Sequence, residues 1–301
     1  MPVTEVFDTV TGIRAAVLQA VEHTAAAHPV VGIVPTMGAL HPGHASLLQA
    51  ARESSDVVIA SVFVNPLQFD DPTDYQLYPR QLETDMQMLT EHGVDCVFAP
   101  DLQEMYPGYP AAPLIRVSTG ELGRRWEGAS RPGHFDGVAT VVTKLFTILA
   151  PPAAVACEAW FGQKDAEQLA VIRRLVEDLN LPVRIRSLPN VRDENGVALS
   201  SRNLRLSAAD YDAACALSRA LFTLAARAQA HQPLDLSQLR AQLQAAQRLD
   251  LDYLVVVDPD TMQETADDPL RQPALALIAA RVGPVRLIDT MELCPGAAPT
   301  G

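Results

Sequence analysis

Apolar positions fall into short unbroken runs and helix-spaced stripes, and through the first two thirds of the chain the two patterns alternate. Residues 4–27 carry Val6, Ile13, Val17 and Val21 at roughly helical spacing and predict an opening helix. The run 30–34 predicts a strand that stops at Pro35, Thr36 and Gly38, and after His41-Pro42-Gly43-His44 a helical stripe resumes with Leu47, Leu48 and Ala51. Residues 56–64 are almost wholly apolar, as a parallel strand covered on both faces requires. A polar, proline-punctuated stretch, 70–79, predicts a loop before a helix with Leu82, Met86 and Leu89 and a strand at 95–98. From Glu127 a glycine-rich loop leads into a helix with Val138, Val141, Val142, Leu145 and Leu149 inward. A strand at 153–162, a helix with Leu169, Ile172 and Val176, and a strand at 183–188 follow. This alternation predicts an α/β, Rossmann-like parallel-sheet domain over 1–188. Beyond it the order changes to helices at 208–230 and 235–249, then strands at 252–257, 274–280 and 285–290. That order predicts a smaller C-terminal α+β domain over 189–301, acting as a lid that closes over the first and ending in a loose tail from 295.

Composition narrows the class. With 301 residues and 48% hydrophobic content the chain buries a sizeable core, and its net charge of −13 argues against broad nucleic-acid binding, which needs basic patches. Cations in such a chain must be gathered locally, so single Lys and Arg residues inside motifs carry weight. Cys96, Cys157, Cys215 and Cys294 form no CxxC pair and read as reduced packing residues of a cytoplasmic protein. Neither a leader pattern nor an apolar stretch long enough to span a bilayer is evident, so no membrane partner is expected.

Candidate chemistry collects at the ends of the expected strands. A helix starting after the first strand presents unpaired amides and the positive end of its dipole, which suits phosphate. His41 just before that helix and His44 in its first turn are placed to donate to phosphate oxygens; the same spacing also serves plain capping or a metal site. Gly43 would let a flat ring or a phosphate approach the backbone. Ligands of open α/β sheets bind beyond the carboxyl ends of strands, and there, after the second long run, stands Asn65-Pro66-Leu67-Gln68-Phe69. Gln68 offers a donor and an acceptor to a hydroxy acid, or serves as a loop-stabilising amide. Arg131 and His134 sit at the mouth of the glycine-rich loop. Lys164 at a strand end is placed to bring charge to a polyphosphate and Asp165 to accept from ribose, unless the two form a surface pair. Ser200, Ser201 and Arg202 offer two hydroxyls and a guanidinium to the β- and γ-phosphates of ATP.

The wider strings narrow these readings. PTMGALHPGH resembles the HxGH signature of a nucleotidyltransferase superfamily, in the form carried by the pantoate-β-alanine ligase family. FVNPLQF followed by YPR resembles that family's pantoate-side loop, with Tyr78 and Asp85 at matching positions. EGASRPGHFDG, FGQKDAEQL and RDENGVALSSRN resemble its loop beside the active site, its phosphate-binding lysine motif and its mobile loop. The resemblance spans about residues 3–292. It implies ATP contacts at Pro35, Thr36, Met37, His44, Gly162, Lys164, Asp165, Val191, Leu199, Ser200, Ser201 and Arg202, and pantoate contacts at Asn65, Gln68 and Gln168. His41, His44, Lys164, Ser200, Ser201 and Arg202 are the implied catalytic group. Asp85 either approaches the magnesium of the nucleotide or compensates a helix dipole. The sequence departs from the family pattern at Gln163, where Glu is usual, and in PPAAVACEAW, which runs a few residues long before its strand.

The family reaction implied joins pantoate to β-alanine through a pantoyl adenylate, with ATP as substrate, Mg2+ on its phosphates and a homodimer as the working form. Two other readings compete. One is an adenylyltransferase of the same superfamily, which has no need of Gln68 and Gln168. The other is a non-catalytic nucleotide-sensing module, which has no need of His41, His44, Lys164 and Arg202.

Overall fold

The first six strands, β1 (Glu5–Phe7), β2 (Val30–Thr36), β3 (Val57–Val62), β4 (Cys96–Phe98), β5 (Ala156–Gly162) and β6 (Arg184–Leu188), form one sheet in the order β1-β4-β3-β2-β5-β6. Every pairing in it is parallel. The computed structural model describes residues 4–111, 113–152 and 154–296, with Ser201 and Leu204 described by backbone alone. Helices α1 (Val10–His23), α2 (Pro42–Ser54), α3 (Pro72–Leu77), α4 (Leu82–Glu91), α5 (Leu102–Met105), α6 (Trp126–Ser130), α7 (His134–Leu149) and α8 (Ala166–Asp178) connect these strands. From β2 the chain builds outward through β3 and β4, then returns to place β5 on the other side of β2. The strand order therefore reverses between β2 and β5, and the crevice beyond their carboxyl ends is where an open α/β sheet takes a ligand.

Local sequence explains the elements around that crevice. Strand β2 is buried over Val31–Val34 because α2 lays Leu47, Leu48 and Ala51 on it, with Val58, Val97 and Trp160 completing one apolar cluster. Ion-paired Arg52 fastens the end of α2, donating to Asp95 at 2.8 Å and to the carbonyls of Gly93 and Ser55.

The chain falls into two compact units, Met1–Gly162 with Val171–Leu188, and Gln163–Ala170 with Pro189–Gly301. The segment 163–170, which the periodicity leaves in the first domain, goes with the second unit. That unit is built on the antiparallel sheet β7 (Leu249–Val257), β8 (Ala274–Val282) and β9 (Val285–Leu293), with α9 (Ala208–Gln229) and α10 (Leu236–Gln244). Ser207 caps α9 by accepting from the Asp210 amide and donating to its carboxylate at 2.6 Å; this bond and that from Arg248 hold the Asp210 carboxyl below its usual range. Leu217, Leu221 and Leu224 of α9 share a core with Leu254, Ile278 and Leu287 of the sheet.

The structure corrects five expectations. The opening helix starts only at Val10, because Glu5–Phe7 is a strand paired with β4, and Val6 is exposed. The 70–79 stretch contains α3, capped by the Asp71 side chain with Pro72 in its first turn, and part of the glycine-rich loop is α6. α10 ends at Gln244, leaving Leu249 to begin β7. Three cysteines are buried, but Cys294 is exposed. Most of the tail, 297–301, lies outside the described residues.

Burial, with the charge of Glu158 beside Cys157, pushes the Cys96 and Cys157 thiols up to about 12. Reactivity follows the thiolate. A neutral maleimide at neutral pH is therefore expected to label Cys294 alone in the native protein, as read by mass spectrometry; rapid native labelling of Cys96 or Cys157 would contradict their packing.

Candidate active site

The histidine pair is fixed by a reciprocal cap. His41 is the N-cap of α2 with its Nδ1 accepting from the Gly43 amide at 3.1 Å, while the Nδ1 of His44 accepts from the His41 amide at 3.2 Å. A neutral imidazole whose Nδ1 accepts carries its proton on Nε2. Both rings, with centroids 4.2 Å apart, thus offer Nε2–H donors at the positive end of α2. The capping and the anion-binding readings are therefore compatible, since the cap is what sets the donor. Gly43 is needed for the approach of His41's own ring, because a Cβ there would lie 2.9 Å from its Cε1. Pro35 and Thr36 end β2 ahead of this loop, and Thr36 donates to the Ser61 carbonyl at 2.7 Å.

Asp85 is almost fully buried, and its two carboxylate oxygens accept from the amides of Ala39 and Leu40 at 3.0 and 2.8 Å. It holds the loop that carries the histidines. No group of three or more His, Cys, Asp or Glu suited to a metal occurs among the described residues.

Gln68 lies in the turn Pro66–Gln68 after β3. Asn65, buried at 1% exposure, accepts from the Tyr106 hydroxyl at 2.9 Å and the Leu67 amide at 3.3 Å, so its Nδ2 is the donor. That Nδ2 donates to Gln68 Oε1 at 3.0 Å and to the Gly137 carbonyl at 3.1 Å. The amide of Gln68 is thereby turned so that Oε1 is engaged by Asn65 and Nε2 donates to the sulfur of Met37 at 3.0 Å. Sequence reading allowed Gln68 both roles, whereas the geometry leaves the donor. Tyr106, which burial keeps protonated well above its ordinary range, was missed because it sits in an aperiodic proline-rich stretch. Helix α7 closes on this turn so tightly that a Cβ at Gly137 would lie 2.1 Å from the Leu67 carbonyl oxygen.

In the second unit Lys164, Ser200 and Arg202 line one solvent-open cleft, with Asn203, Ser218 and Arg286. Residues Val191 and Leu199 pair across a small loop, the Leu199 amide donating to the Val191 carbonyl at 2.9 Å. A bidentate bond from Arg192 to Asp289, at 2.6 and 2.9 Å, fastens the loop to β9. Ser200 Oγ accepts from the Arg202 amide; the Ser201 side chain lies outside the described residues. Asp165 is exposed, and half-buried Gln168 lies in the first turn of α8. Arg286, held by Asp252 at 2.6 Å, adds a cation that no motif announced.

Gln163 donates to Glu292 at 2.7 Å, and its carbonyl accepts from Thr290 at 2.8 Å. An amide suits this place better than the family's usual Glu, which would set a second carboxylate against Glu292. Gln163→Glu is expected to lower stability by about 0.5 kcal/mol at low salt, an effect that added salt and Glu292→Gln each remove. Thermal denaturation reads it, and a salt-independent loss would sink the charge argument. The residues ahead of β5, the long lead-in, form a turn in which the Val155 amide donates to the Pro152 carbonyl, with position 153 outside the described residues.

The family model described as pantoate-beta-alanine ligase matches residues 5–292. The chain belongs to the pantoate-β-alanine ligase family. The pantothenate synthetase of Corynebacterium efficiens is 56% identical over 269 residues, covering 88% of this chain and 92% of that one. A crystal structure of pantothenate synthetase from Thermus thermophilus superposes with a TM-score of 0.84 at 43% identity, covering 97% of this chain and 100% of that one. The pantoate-β-alanine ligase of Francisella tularensis, solved with β-γ ATP and β-alanine, gives a TM-score of 0.74 at 33% identity, covering 96% and 97%. The resemblance read from the five motifs therefore holds over nearly the whole chain, and the chain is a ligase of this family.

Proposed function

We propose that this chain uses ATP to condense pantoate with β-alanine, through a bound pantoyl adenylate, and releases AMP, pyrophosphate and pantothenate. The observation that carries the reading is the contact of Gln68 Nε2 with Met37, which sets an oriented hydroxy-acid donor against the loop bearing the histidine pair. A carboxylate oxygen of pantoate attacks the α-phosphorus, and the bond to the pyrophosphate oxygen breaks. The two Nε2–H donors of His41 and His44 stabilise the charge that develops on phosphate oxygens without taking a proton. Lys164, Ser200, Ser201 and Arg202, with Val191 and Leu199 beside them, make the polyphosphate contacts of the second unit. Asp165 takes ribose; Pro35, Thr36, Met37 and Gly162 border the nucleotide. Gln68 and Gln168 hold pantoate, and Asn65, which the family resemblance also places there, acts through Gln68. In the second step the amine of β-alanine attacks the acyl carbon, AMP leaves, and the amine loses its proton to solvent.

Magnesium fits as an ion carried by the phosphates of ATP, because Mg2+ keeps its waters and takes few protein ligands; when bound it neutralises phosphate charge. Each oxygen of Asp85 accepts from a backbone amide, so we assign this carboxylate to holding the histidine loop. We place the working enzyme in the cytoplasm as a homodimer. Leu114 and Ile115, almost fully exposed apolar side chains, favour cover by a second copy, which sedimentation reads.

Pyrophosphate exchange tests the stepwise reaction. Pantoate should support incorporation of labelled pyrophosphate into ATP without β-alanine, and β-alanine should then release AMP. A simple adenylyltransferase keeps the nucleotide on its product, and a sensing module shows no exchange. Absence of pantoate-dependent exchange in folded, magnesium-supplied protein would overturn the reading.

A further inference from the structure

Two side chains at the head of α7 have no part in the reaction just described, yet both reach the turn that carries Gln68. His134, buried at 8% exposure, places Nδ1 2.7 Å from the Gln68 carbonyl oxygen, and Arg131 Nη2 donates to the same oxygen at 3.1 Å. A ring nitrogen facing a carbonyl must carry the proton, so the Nε2 of His134 is the acceptor. Arg131 satisfies it, its Nη1 lying 3.3 Å away, while its Nε lies 3.5 Å from the carboxylate of Asp70. Asp70, Arg131 and His134 thus form a chain of directed contacts ending on one carbonyl. Asn65 turns the side-chain amide of the same residue. Main chain and side chain of Gln68 are therefore fixed from two directions, and neither set of bonds substitutes for the other. The close approach of Gly137 to Leu67 supplies steric contact but no polar direction.

We propose that His134 and Arg131 are positioning residues for pantoate, acting through the main chain of Gln68 to aim its Nε2 donor. The inference rests on the reading of Gln68 as a pantoate ligand. A small tilt of a turn displaces an amide at the end of a three-carbon side chain by a good part of an ångström, enough to spoil a hydrogen bond.

Steady-state kinetics with pantoate and ATP varied separately test it, with melting temperature measured for every variant. His134→Ala should raise the pantoate KM by about 10- to 100-fold and leave the ATP KM within about twofold, the scale on which misplacing a binding group acts. His134→Asn, whose Nδ2 can occupy the place of the ring Nδ1, should recover most of the loss. Arg131→Gln should show the same split at smaller size, and it carries the test if His134→Ala does not fold. Gln68→Ala is the reference. If Gln68→Ala raises the pantoate KM but folded His134→Ala and Arg131→Gln do not, the positioning inference fails and the proposed function stands. The inference also fails if His134→Asn is no better than His134→Ala, or if ATP and pantoate KM rise together. If Gln68→Ala leaves the pantoate KM unchanged, the assignment of Gln68 fails first, and this inference with it.

Discussion

His44→Ala is expected to slow adenylate formation by about 10²- to 10³-fold, the usual cost of losing one preorganised donor to developing charge. Two effects are mixed in that substitution, because the ring whose Nε2–H we assign to phosphate also caps α2 through Nδ1. Their magnitudes separate them. Losing a cap costs about 1 kcal/mol of stability, which leaves a folded protein at assay temperature and does not account for a hundredfold loss of rate. Two further variants separate them by chemistry. His44→Asn puts an oxygen near the Nδ1 position, keeps an acceptor for the His41 amide and has no donor at Nε2, so it should be as slow as alanine with stability restored. His44→Gln reaches the Nε2 position with its amide nitrogen and should keep the rate within about tenfold of the parent despite a weaker cap. Single-turnover formation of pantoyl adenylate reads the rate, and thermal denaturation the cap. If the rate follows the melting temperature across the three variants, His44 is a capping residue and the phosphate assignment falls.

Much of the first unit was legible because its elements obey simple periods. Strands β2 and β3 are buried on both faces and read as unbroken apolar runs, and α2 shows its stripe of Leu47, Leu48 and Ala51 behind a proline and a cap. The helix start that carries the histidine pair was legible for the same reason, but the spacing left capping and metal binding open until the reciprocal cap was seen. Element β1 was not, because three residues with two exposed side chains carry no strand signal and Val6 fell by chance into the stripe of α1. Short α3 was hidden by its polarity; with no buried residue it has no stripe to show. Chemistry followed the same division. Residue types at strand ends were visible, but their polarity depends on partners far off in sequence. The donor role of Gln68 is decided by Asn65, whose own orientation is decided by a tyrosine 41 positions away. Arg192 and Asp289 are 97 positions apart, and no local pattern joins them. Arg286 reads as a strand residue until the cleft that it lines with Lys164 and Arg202 is seen.

The largest loss of pantoate use is expected at Asn65, a residue that need not touch the substrate to matter. Its side chain spends its acceptor on Tyr106 and Leu67 and its donors on Gln68 and Gly137. Truncation to alanine strands the Tyr106 hydroxyl, which burial keeps protonated; such a group costs about 1–3 kcal/mol. It also releases the amide of Gln68. Asn65→Asp is the sharper variant. It keeps the shape and both accepted bonds, so Tyr106 stays satisfied, and the melting temperature reads what the buried charge costs. In place of the donor, however, it sets a carboxylate against Gln68 Oε1 and the Gly137 carbonyl. The Gln68 amide relieves that repulsion by flipping, which brings Nε2 inward and turns Oε1 toward the substrate. The donor that we assign to an anionic hydroxy acid is then replaced by an acceptor. Both variants should lose about 10²- to 10³-fold in kcat/KM for pantoate, with the ATP KM little changed, because an oriented donor has been lost or inverted. Adding Gln68→Ala to Asn65→Asp should then cost almost nothing more, since the two residues act as one unit. Independent, additive losses in the double variant would show that Asn65 does not work through Gln68.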